Sequence, residues 1–568
     1  MFKDLICCSL VAIAVGASAG ESPENRRSPR KAVREVRGQG VDGNVSQADA
    51  GSTGRKRIIR NADSDSDWYV EAERLLKEAA ASENPPPFIN RRVAMALLNN
   101  PEKLDEAEEW IRKAESEGDP EVPLLRQKLA AAREAAKPAP TGVVVKTDDV
   151  FPGYTLLAPK GFGRTYLLNN DGEAVHEWVH TNMVTVTSSY LLPNGNLLRM
   201  ALDAESQVAG QRPGIMVQEL SWDGDVVWQY LPDLPGVRIH HDMLRLPNGN
   251  MLVVVSEKKE LQECLAVGRD FETLPKEMLW VDAVYEVKSV GRNGGEVVWR
   301  WSPWDHLIQD RDPNLPSHGN PADFPERIDI KRVRAGHVTD DWLHVNSVAY
   351  NKDRNEVMLS VHALGEVWVV SRKSGKLVYR WGNPAAYGRS DLEDQTLFQH
   401  HNAHWIEDGL PGSGNILVFN NGVGRPGGDY SSVLELKPPL GFWGGWKKDG
   451  SAFKPCPMEW EYEADPPDAM FSEVVSGAQR LPNGNTLICI GIGGMLLEVD
   501  AQKQIVWKYV NPVQVERRGA KGRGKWKASP GTANMLYRAQ KYPLDYPAFK
   551  DRNLNPNGLL GQMGLAIE

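Results

Sequence analysis

The chain has 568 residues, of which 41% are hydrophobic and 25% charged, and this is ample for a large core with accessory segments. The formal net charge is −9, so nothing in the charge balance favours a nucleic-acid partner. The chain has five cysteines and no C-x-x-C pair, which excludes a disulfide framework and argues against a thiolate zinc site.

The N-terminal segment has the features of a secretory signal peptide. It carries Lys3, an apolar run over 5–15 and the small residues Ala-Ser-Ala over 17–19 as a cleavage site. We therefore predict a signal peptide over 1–19 and a periplasmic or secreted location. The apolar run is too short to cross a bilayer and no other segment approaches the required length, so no transmembrane segment is expected. The cysteines outside this segment allow at most one disulfide: Cys264, Cys456 and Cys489.

Two segments of different amino-acid composition precede the main body of the chain. Residues 20–66 are rich in Arg, Ser, Gly and Asp with almost no large apolar residues, which predicts disorder. Residues 67–137 carry apolar residues at helical spacing among Ala, Glu, Lys and Arg, which predicts a small helical domain. We expect that domain to dock on a protein partner, and residues 138–150 to form a linker.

From 151 to 515 two short patterns alternate along the chain. The first is an apolar strand opened by a Gly-Asn turn, as in LPNGN, with a degenerate fifth copy. Its copies begin at Tyr190, Leu244, Val348, Leu410 and Arg480. The second pattern reads approximately G-x-V-V-W-x-Y/W and is followed by Pro or Asn-Pro. Its copies centre on Trp178, Trp228, Trp299, Tyr379, Trp460 and Trp507.

This alternation predicts a mainly β fold, a six-bladed β-propeller over 151–515. Each copy begins with turn residues and continues with alternating apolar and polar residues, as half-buried antiparallel strands require. Six copies of the second pattern, roughly 50 to 80 residues apart, suggest six four-stranded blades. The alternative, a long β-sandwich with coincidental turns, gives no reason for strict alternation. Residues 516–568 are expected to form a C-terminal tail packed on the propeller.

Histidines cluster just ahead of three copies of the first pattern. Seven of the twelve lie in or beside these entry segments: His240, His241, His344, His362, His400, His401 and His404. Because the innermost strand of each propeller blade lines the central channel, we expect these residues to share one funnel. Simple alternation puts His401 and Ala403 on one face of their strand and His400 and His404 on the other.

Such a funnel suits an oxyanion. Neutral imidazole is a competent nucleophile, and neighbouring imidazolium, guanidinium and amide donors can stabilise charge on a sulfuryl or phosphoryl group. Arg380 in a neighbouring strand would add a fixed positive charge. Carboxylates that could orient the imidazoles are Asp242, Asp340 and Asp341. Candidates for holding an aryl ring are Trp342 and Trp405.

The residues leave three alternatives open. Each histidine by itself can cap a blade turn or bind structural water. Three imidazoles around an axis, those of His241, His344 and His401, are also a zinc-like or iron-like set, which would suit a metal-dependent hydrolase or lyase. A propeller that binds a ligand without catalysis is the third.

The ordered series of motifs resembles the bacterial arylsulfate sulfotransferase family from 153 to 512. The motifs are PGYTLLAP, DGEAVHEW, IHHDMLRLPNGN, DWLHVNSVAYN, QHHNAHW and ILVFNNG. The resemblance implies a six-bladed periplasmic propeller that needs no nucleotide donor. It further implies transfer of a sulfuryl group from an aryl sulfate to a phenol through a sulfohistidine, with no cofactor and no metal.

Carried over position by position, the resemblance makes His401 the nucleophile and His241, His344 and Asn346 its supporting donors. The residues assigned to substrate binding are His362, Arg380, Ser476 and His404. One position departs from the family pattern, because His362 stands where the family carries an arginine that grips the sulfate. A histidine lacks the fixed charge and the two-pronged geometry of arginine, and Arg380 is the candidate to replace it.

Overall fold

The structure is a computed structural model that divides into two units, Met1–Lys137 and Pro138–Glu568. It describes residues 74, 77, 88–98, 103–136, 140–180, 182–203, 214–333, 338–390, 394–514 and 533–560. The predicted signal peptide and the segment 20–66 lie outside the described residues. No helix within these ranges is long and apolar enough to cross a membrane.

The first unit contains a small bundle of helices, as the sequence predicts. Its helices are α1 (Ile89–Leu97), α2 (Leu104–Ser116) and α3 (Val122–Ala136). Apolar residues three and four apart in α2 face the other helices and are buried. They are Leu104, Ala107, Ile111 and Ala114. The helix expected over 68–81 lies outside the described residues, apart from the helical Arg74 and Lys77.

The second unit is a six-bladed β-propeller, and the fold prediction is confirmed. The first third of the strands, in chain order, are β1 (Gly142–Lys146), β2 (Gly153–Leu157), β3 (Arg164–Leu168), β4 (Ala174–Val179), β5 (Met183–Leu191), β6 (Leu197–Asp203), β7 (Met216–Leu220) and β8 (Val226–Tyr230). The middle strands are β9 (Val237–Arg245), β10 (Met251–Glu260), β11 (Met278–Val290), β12 (Gly294–Trp301), β13 (Leu307–Ile308), β14 (Ile328–Asp329), β15 (Val345–Asn351), β16 (Glu356–Val361), β17 (Glu366–Ser371) and β18 (Leu377–Trp381). The last strands are β19 (His401–Trp405), β20 (Ile416–Asn420), β21 (Ser432–Leu436), β22 (Lys448–Asp449), β23 (Ala452–Phe453), β24 (Met458–Tyr462), β25 (Gly477–Arg480), β26 (Thr486–Ile490), β27 (Met495–Val499), β28 (Ile505–Val510) and β29 (Gln540–Pro543). A short helix, α4 (Leu261–Ala266), follows β10.

From the channel outward, blade one is β29-β2-β3-β4 and blade two is β5-β6-β7-β8. Blade three is β9-β10-β11-β12 and blade four is β15-β16-β17-β18. Blade five is β19-β20-β21-β24, and blade six is β25-β26-β27-β28 with β1 added at its outer edge. The pairs β13-β14 and β22-β23 stand outside the blades. Apolar side chains fill the space between adjacent blades, as Phe419 of blade five and Leu497 of blade six do.

Both ends of the described propeller chain close the ring. Strand β1 lies within 138–150, which the sequence assigned to a linker, and pairs with β28. Strand β29 lies within 516–568, which the sequence assigned to a surface tail, and pairs with β2 as the inner strand of blade one. Because blade one takes its inner strand from the C-terminal region, it has no copy of the first pattern. This explains why the sequence has five copies of that pattern and six of the second.

Aromatic residues of the second pattern join five of the six blades to the next. In the fourth strand of these blades an aromatic ring nitrogen or hydroxyl donates to a carbonyl at or before the start of the following blade's fourth strand, and in blade three the donor is Trp301, two residues after Trp299. The bonds are Trp178 to Ser221, Trp228 to Gly294, Trp301 to Gly375, Tyr379 to Lys454 and Trp507 to Asn170, at 2.8–3.0 Å. The pattern therefore records a contact between blades as well as a strand.

The three described cysteines, Cys264, Cys456 and Cys489, are buried and free, so the one disulfide that the sequence allows is not formed.

Candidate functional site

The inner strands of neighbouring blades are irregular beside the histidines. In β5, β9, β15 and β19 the pairing with the second strand shifts register, so each carries a bulge. Residues with left-handed backbone stand at or next to three of these points: His241 (φ 64°), His344 (φ 51°) and Asn402 (φ 57°). Bulges bend a strand and re-aim its side chains, and they are common at active sites. The irregularities therefore decide which side chains enter the channel.

The bulge in β19 overturns the simple alternation expected there. Ala403, expected to face the channel with His401, is fully buried in the core that blades four and five share. His404, expected to face away, is half-buried and close enough to Arg538 and Asp242 for their charges to affect its pKa, which burial lowers to about 4. The extra residue in the strand, Asn402, causes the change of face.

Four imidazoles from three blades form one continuous cluster. The rings of His241 and His344 have centroids 4.4 Å apart, those of His344 and His362 are 4.9 Å apart, and those of His362 and His401 are 5.1 Å apart. His240 extends the cluster, with its ring centroid 4.6 Å from that of His241. The structure thus brings together His241, His344, His362 and His401, as the sequence predicts that it should.

The position of the proton on His401 is set by Asn421, which follows β20. The amide nitrogen of Asn421 donates to the carbonyls of Ser472 (2.7 Å) and Val475 (3.1 Å), and this fixes the orientation of the amide. Its oxygen therefore accepts a hydrogen bond from Nδ1 of His401 at 2.7 Å. The proton stays on Nδ1, and Nε2 carries the lone pair. Burial lowers the pKa of His401 to about 3, so the ring is neutral at neutral pH.

Two carboxylates orient the other rings. Asp282 of β11 binds Nε2 of His240, and Nδ1 of His240 binds Nδ1 of His241. Burial, and then the neighbouring imidazoles, hold the pKa of His241 well below its usual value. Asp341 binds Nδ1 of His344 at 2.7 Å.

Asp341 is an ionised carboxylate beside a histidine. Burial by itself would raise its pKa, but the hydrogen bond from His344 and nearby positive charges lower it to about 2. The negative charge of Asp341 therefore stabilises the protonated form of the His344 ring. Asp341 fits the expected orienting role, whereas the other two candidate carboxylates bind elsewhere. Asp340 pairs with Lys276, and Asp242 accepts from Tyr190 and Arg538.

Asn346 joins two blades. Its amide nitrogen donates to the carbonyl of His400 in blade five at 2.9 Å, and its side chain is fully buried. Asn402 likewise joins blade five to blade six, because its amide oxygen accepts from the backbone N–H of Ala478 at 3.2 Å. One proton of the Asn346 amide is thus already used within the protein.

Residues 204–436 match the family model for arylsulfotransferase (ASST). The stretch runs from the end of β6 to the end of β21 and contains the whole imidazole cluster. The resemblance stated from the motifs is confirmed over these residues. No curated protein is significantly similar to the chain in sequence.

Three solved structures illustrate what the chain resembles in space. A protein of unknown function from Bacteroides caccae has 14% identity and a TM-score of 0.37, over 68% of this chain and 98% of that chain. A virginiamycin B lyase from Staphylococcus aureus has 7% identity and a TM-score of 0.30, over 66% and 89%. A periplasmic gluconolactonase from Pseudomonas aeruginosa has 10% identity and a TM-score of 0.32, over 69% and 95%. Likeness at this level carries no functional argument.

Two predicted groups of residues lie away from the cluster. Arg380 is on β18, the outermost strand of blade four, where it is buried, forms an ion pair with Glu366 and donates to the carbonyl of Arg327. It cannot replace the family arginine, because this ion pair holds it outside the channel. Trp342 and Trp405 are both buried in the core between blades and do not form an aryl pocket.

Ser476 belongs to a buried hydroxyl network. It donates to the hydroxyl of Ser472 at 2.9 Å and accepts from the backbone N–H of Gly491 at 3.0 Å. Ser472 in turn bonds to Asn421 through its carbonyl. Ser476 thus supports the residue that orients His401, at one remove from the imidazoles.

Two residues that sequence reasoning missed lie in the middle of the ring. Tyr537 and Arg538 precede β29, in a segment that reads only as a tail. The Tyr537 hydroxyl donates to the carbonyl of Asn346 in blade four at 2.7 Å, and its ring centroid is 6.1 Å from that of His241. Because blades one and four are opposite each other, Tyr537 crosses the channel. The sequence around them, MLYRAQ, contains no pattern that singles them out.

Within the described ranges, no group of three or more His, Cys, Asp or Glu side chains is arranged to hold a metal ion.

Proposed function

We propose that the protein transfers a sulfuryl group from an aryl sulfate ester to a phenol, with His401 as the nucleophile. The family match over residues 204–436 supports aryl sulfuryl transfer as the class of reaction. The observation that carries the choice of His401 is its bond to Asn421, which leaves Nε2 unprotonated in a cluster of imidazoles. A neutral ring at neutral pH is the form that attacks.

In the first step the lone pair of Nε2 of His401 attacks the sulfur. The N–S bond forms, the bond from sulfur to the aryl oxygen breaks, and the phenolate takes a proton from a neighbouring imidazolium. His344 suits that role, because ionised Asp341 offsets its positive charge. His241 and His362 stand next to it and can donate to the sulfuryl oxygens.

In the second step a phenol replaces the phenol that has left. The now neutral His344 accepts the proton of its hydroxyl, the phenolate oxygen attacks sulfur, and the N–S bond breaks. The proton and the electron pair thus return to where they began, and the enzyme is ready for the next donor. This sequence predicts ping-pong kinetics.

The test is mass spectrometry of the protein after incubation with an aryl sulfate alone. We expect an added sulfuryl group on His401, and its loss as sulfated product when a phenol is added. His401→Ala should give neither, whereas His318→Ala, at an exposed histidine, should behave as the wild type. An adduct on another residue, or turnover by His401→Ala, would contradict the proposal.

Two other outcomes have specific signatures. A stoichiometric transition metal in the purified protein, with activity that follows its removal and return, would indicate metal-dependent chemistry at the imidazoles. Saturable binding of aryl sulfates without an adduct or product would indicate a propeller that only binds.

We also propose that the protein works in the periplasm or outside the cell, and that the helical unit docks on another protein. The proposals rest on the sequence of residues 1–19 and on the separate helical unit. N-terminal sequencing of the mature protein tests the first, and crosslinking with and without residues 20–137 tests the second.

A further inference from the structure

Arg538 lies near the centre of the propeller ring. It is 8% exposed and contacts the inner strands of several blades. Its Nη1 donates to the Tyr190 hydroxyl of blade two at 2.6 Å and to Asp242 of blade three at 3.2 Å. In blade six a side chain at Gly477 would meet the Cγ of Arg538 at 3.1 Å, so glycine leaves room for it.

One edge of this guanidinium has no partner among the described residues. Nε and Nη2 of Arg538 are both buried, and neither donates to a described protein atom. That edge is the one through which arginine binds a carboxylate or a sulfate with two parallel hydrogen bonds. A buried charged donor without an acceptor is destabilising, so this edge is set up to bind an acceptor.

Asp242 does not bind the Nε–Nη2 edge of Arg538. Its two oxygens already accept from Tyr190, from the backbone N–H of Met243 and from the backbone N–H of Val348. It reaches Arg538 only at Nη1. The carboxylate thus holds the guanidinium in place while its other edge stays open.

The positive charge of Arg538 lies near two of the channel histidines. Its positive charge affects the pKa of both His401 and His404, after the larger effect of burial. Tyr537, the preceding residue, bonds to Asn346 across the channel. The guanidinium also bonds to Asp242, the residue that follows His241 of the imidazole cluster.

We propose that the Nε–Nη2 edge of Arg538 binds a sulfate group in the central channel. The inference deepens the proposed function, because it supplies the arginine that neither His362 nor Arg380 provides. The ligand is the sulfuryl oxygens of an aryl sulfate, or inorganic sulfate with the same chemistry. Lysine keeps the charge but loses the paired donors.

Calorimetry of the full chain with inorganic sulfate, at constant ionic strength set by chloride, tests the site. We expect saturable binding to the wild type and an affinity at least about tenfold weaker in Arg538→Lys. Arg480→Lys is the matched control, since Arg480 also pairs with a carboxylate, Glu435, and has a partnerless buried Nε, but lies in blade six. It should bind sulfate as the wild type does.

A second variant and a second substrate separate the outcomes. Arg538→Gln, checked for folding by its melting temperature, should also lose sulfate binding, and Arg538→Lys should raise KM for an aryl sulfate more than it lowers kcat. Equal sulfate affinity in wild type and Arg538→Lys, or no saturable binding at all, overturns the inference. Sulfate binding that depends on Arg538 without a His401 adduct would leave this site standing and end the proposed function. An adduct on His401 that forms equally in the wild type and in Arg538→Lys would support the proposed function and contradict the sulfate site at Arg538.

Discussion

Side chains outside the imidazole cluster decide which nitrogen of each ring carries a proton. Asn421 presents an oxygen to His401 because its amide nitrogen is held by two carbonyls. Asp282 and Asp341 present carboxylates to His240 and His344. Of these three residues only Asp341 was recognised from the sequence. The chemistry of a histidine is set by its partners, which come from other strands.

Replacing Asn421 by leucine should slow sulfuryl transfer to His401 by roughly 10- to 100-fold, because Nδ1 loses its acceptor and the proton can move to Nε2. The rate of adduct formation measures this, and nitrogen NMR of labelled histidine reports the tautomer. Asn420→Leu is the control, since the side chain of Asn420 is a buried amide that bonds to the backbone of residues 396 and 398. Unchanged tautomer and rate in Asn421→Leu would show that the contact is only structural.

Buried histidines should make the fold sensitive to acid. Burial lowers the pKa of His400 and His401 to about 3, whereas in the unfolded chain histidine titrates near pH 6.5. Between these values the unfolded state binds more protons, so stability falls as pH falls from 6.5. Each histidine contributes about 1.4 kcal/mol per pH unit.

Denaturant unfolding at several pH values between 7.5 and 5 checks this dependence. His400→Leu should have a shallower slope than the wild type below pH 6.5. His318→Leu, at an exposed position, should keep the full slope. Equal slopes in all three proteins would mean that His400 takes up a proton in the folded state.

At the scale of elements, the irregular inner strands are what convert a regular propeller into a site. Their bulges turn Asp242, Asn346 and Asn402 toward the next blade, where each bonds to backbone. The same bulges present the histidines to the channel. One irregularity thus serves both the joining of blades and the convergence of imidazoles.

Asn402 combines a left-handed backbone with a bond between blades, and two substitutions separate these. Asn402→Gly keeps the backbone conformation and loses the bond to Ala478, which costs about 1 kcal/mol. Asn402→Ala loses the bond and also adds strain of about 1–2 kcal/mol at positive φ. Chemical denaturation should therefore rank the wild type above Asn402→Gly and Asn402→Ala last. An alanine variant as stable as the glycine variant would argue against strain.

At the scale of the whole molecule, a buried ion pair lies where the ring closes. Lys541 of β29 binds Glu498 of blade six at 2.7 Å, and neither side chain is exposed. Glu498 also accepts from the backbone of Phe151 and from Asn485. The contact therefore joins the C-terminal strand to the last blade and to the segment that leads into β2.

Lys541→Met should destabilise the propeller by about 3–5 kcal/mol, because Glu498 stays buried without its cation. Thermal and denaturant unfolding of the full chain measure the loss. Lys352→Met, which breaks an exposed pair with Asp408, should change stability by about 1 kcal/mol or less. Similar effects of the two substitutions would show that closure does not depend on the buried pair.

The sequence by itself determined the blade number, because the outer-strand aromatics recur once per blade, and in five of the six blades one of them bonds to the next blade. It also singled out His241, His344 and His401, since they share one phase of the repeat, whereas the family resemblance assigned His362. The tertiary structure alone decided the closing strands, the true face of Ala403 and His404, and the places of Arg380 and Arg538. Strand periodicity is a local property that a pattern can record. Bulges and contacts across the channel join residues far apart in the chain, and no short pattern carries that information.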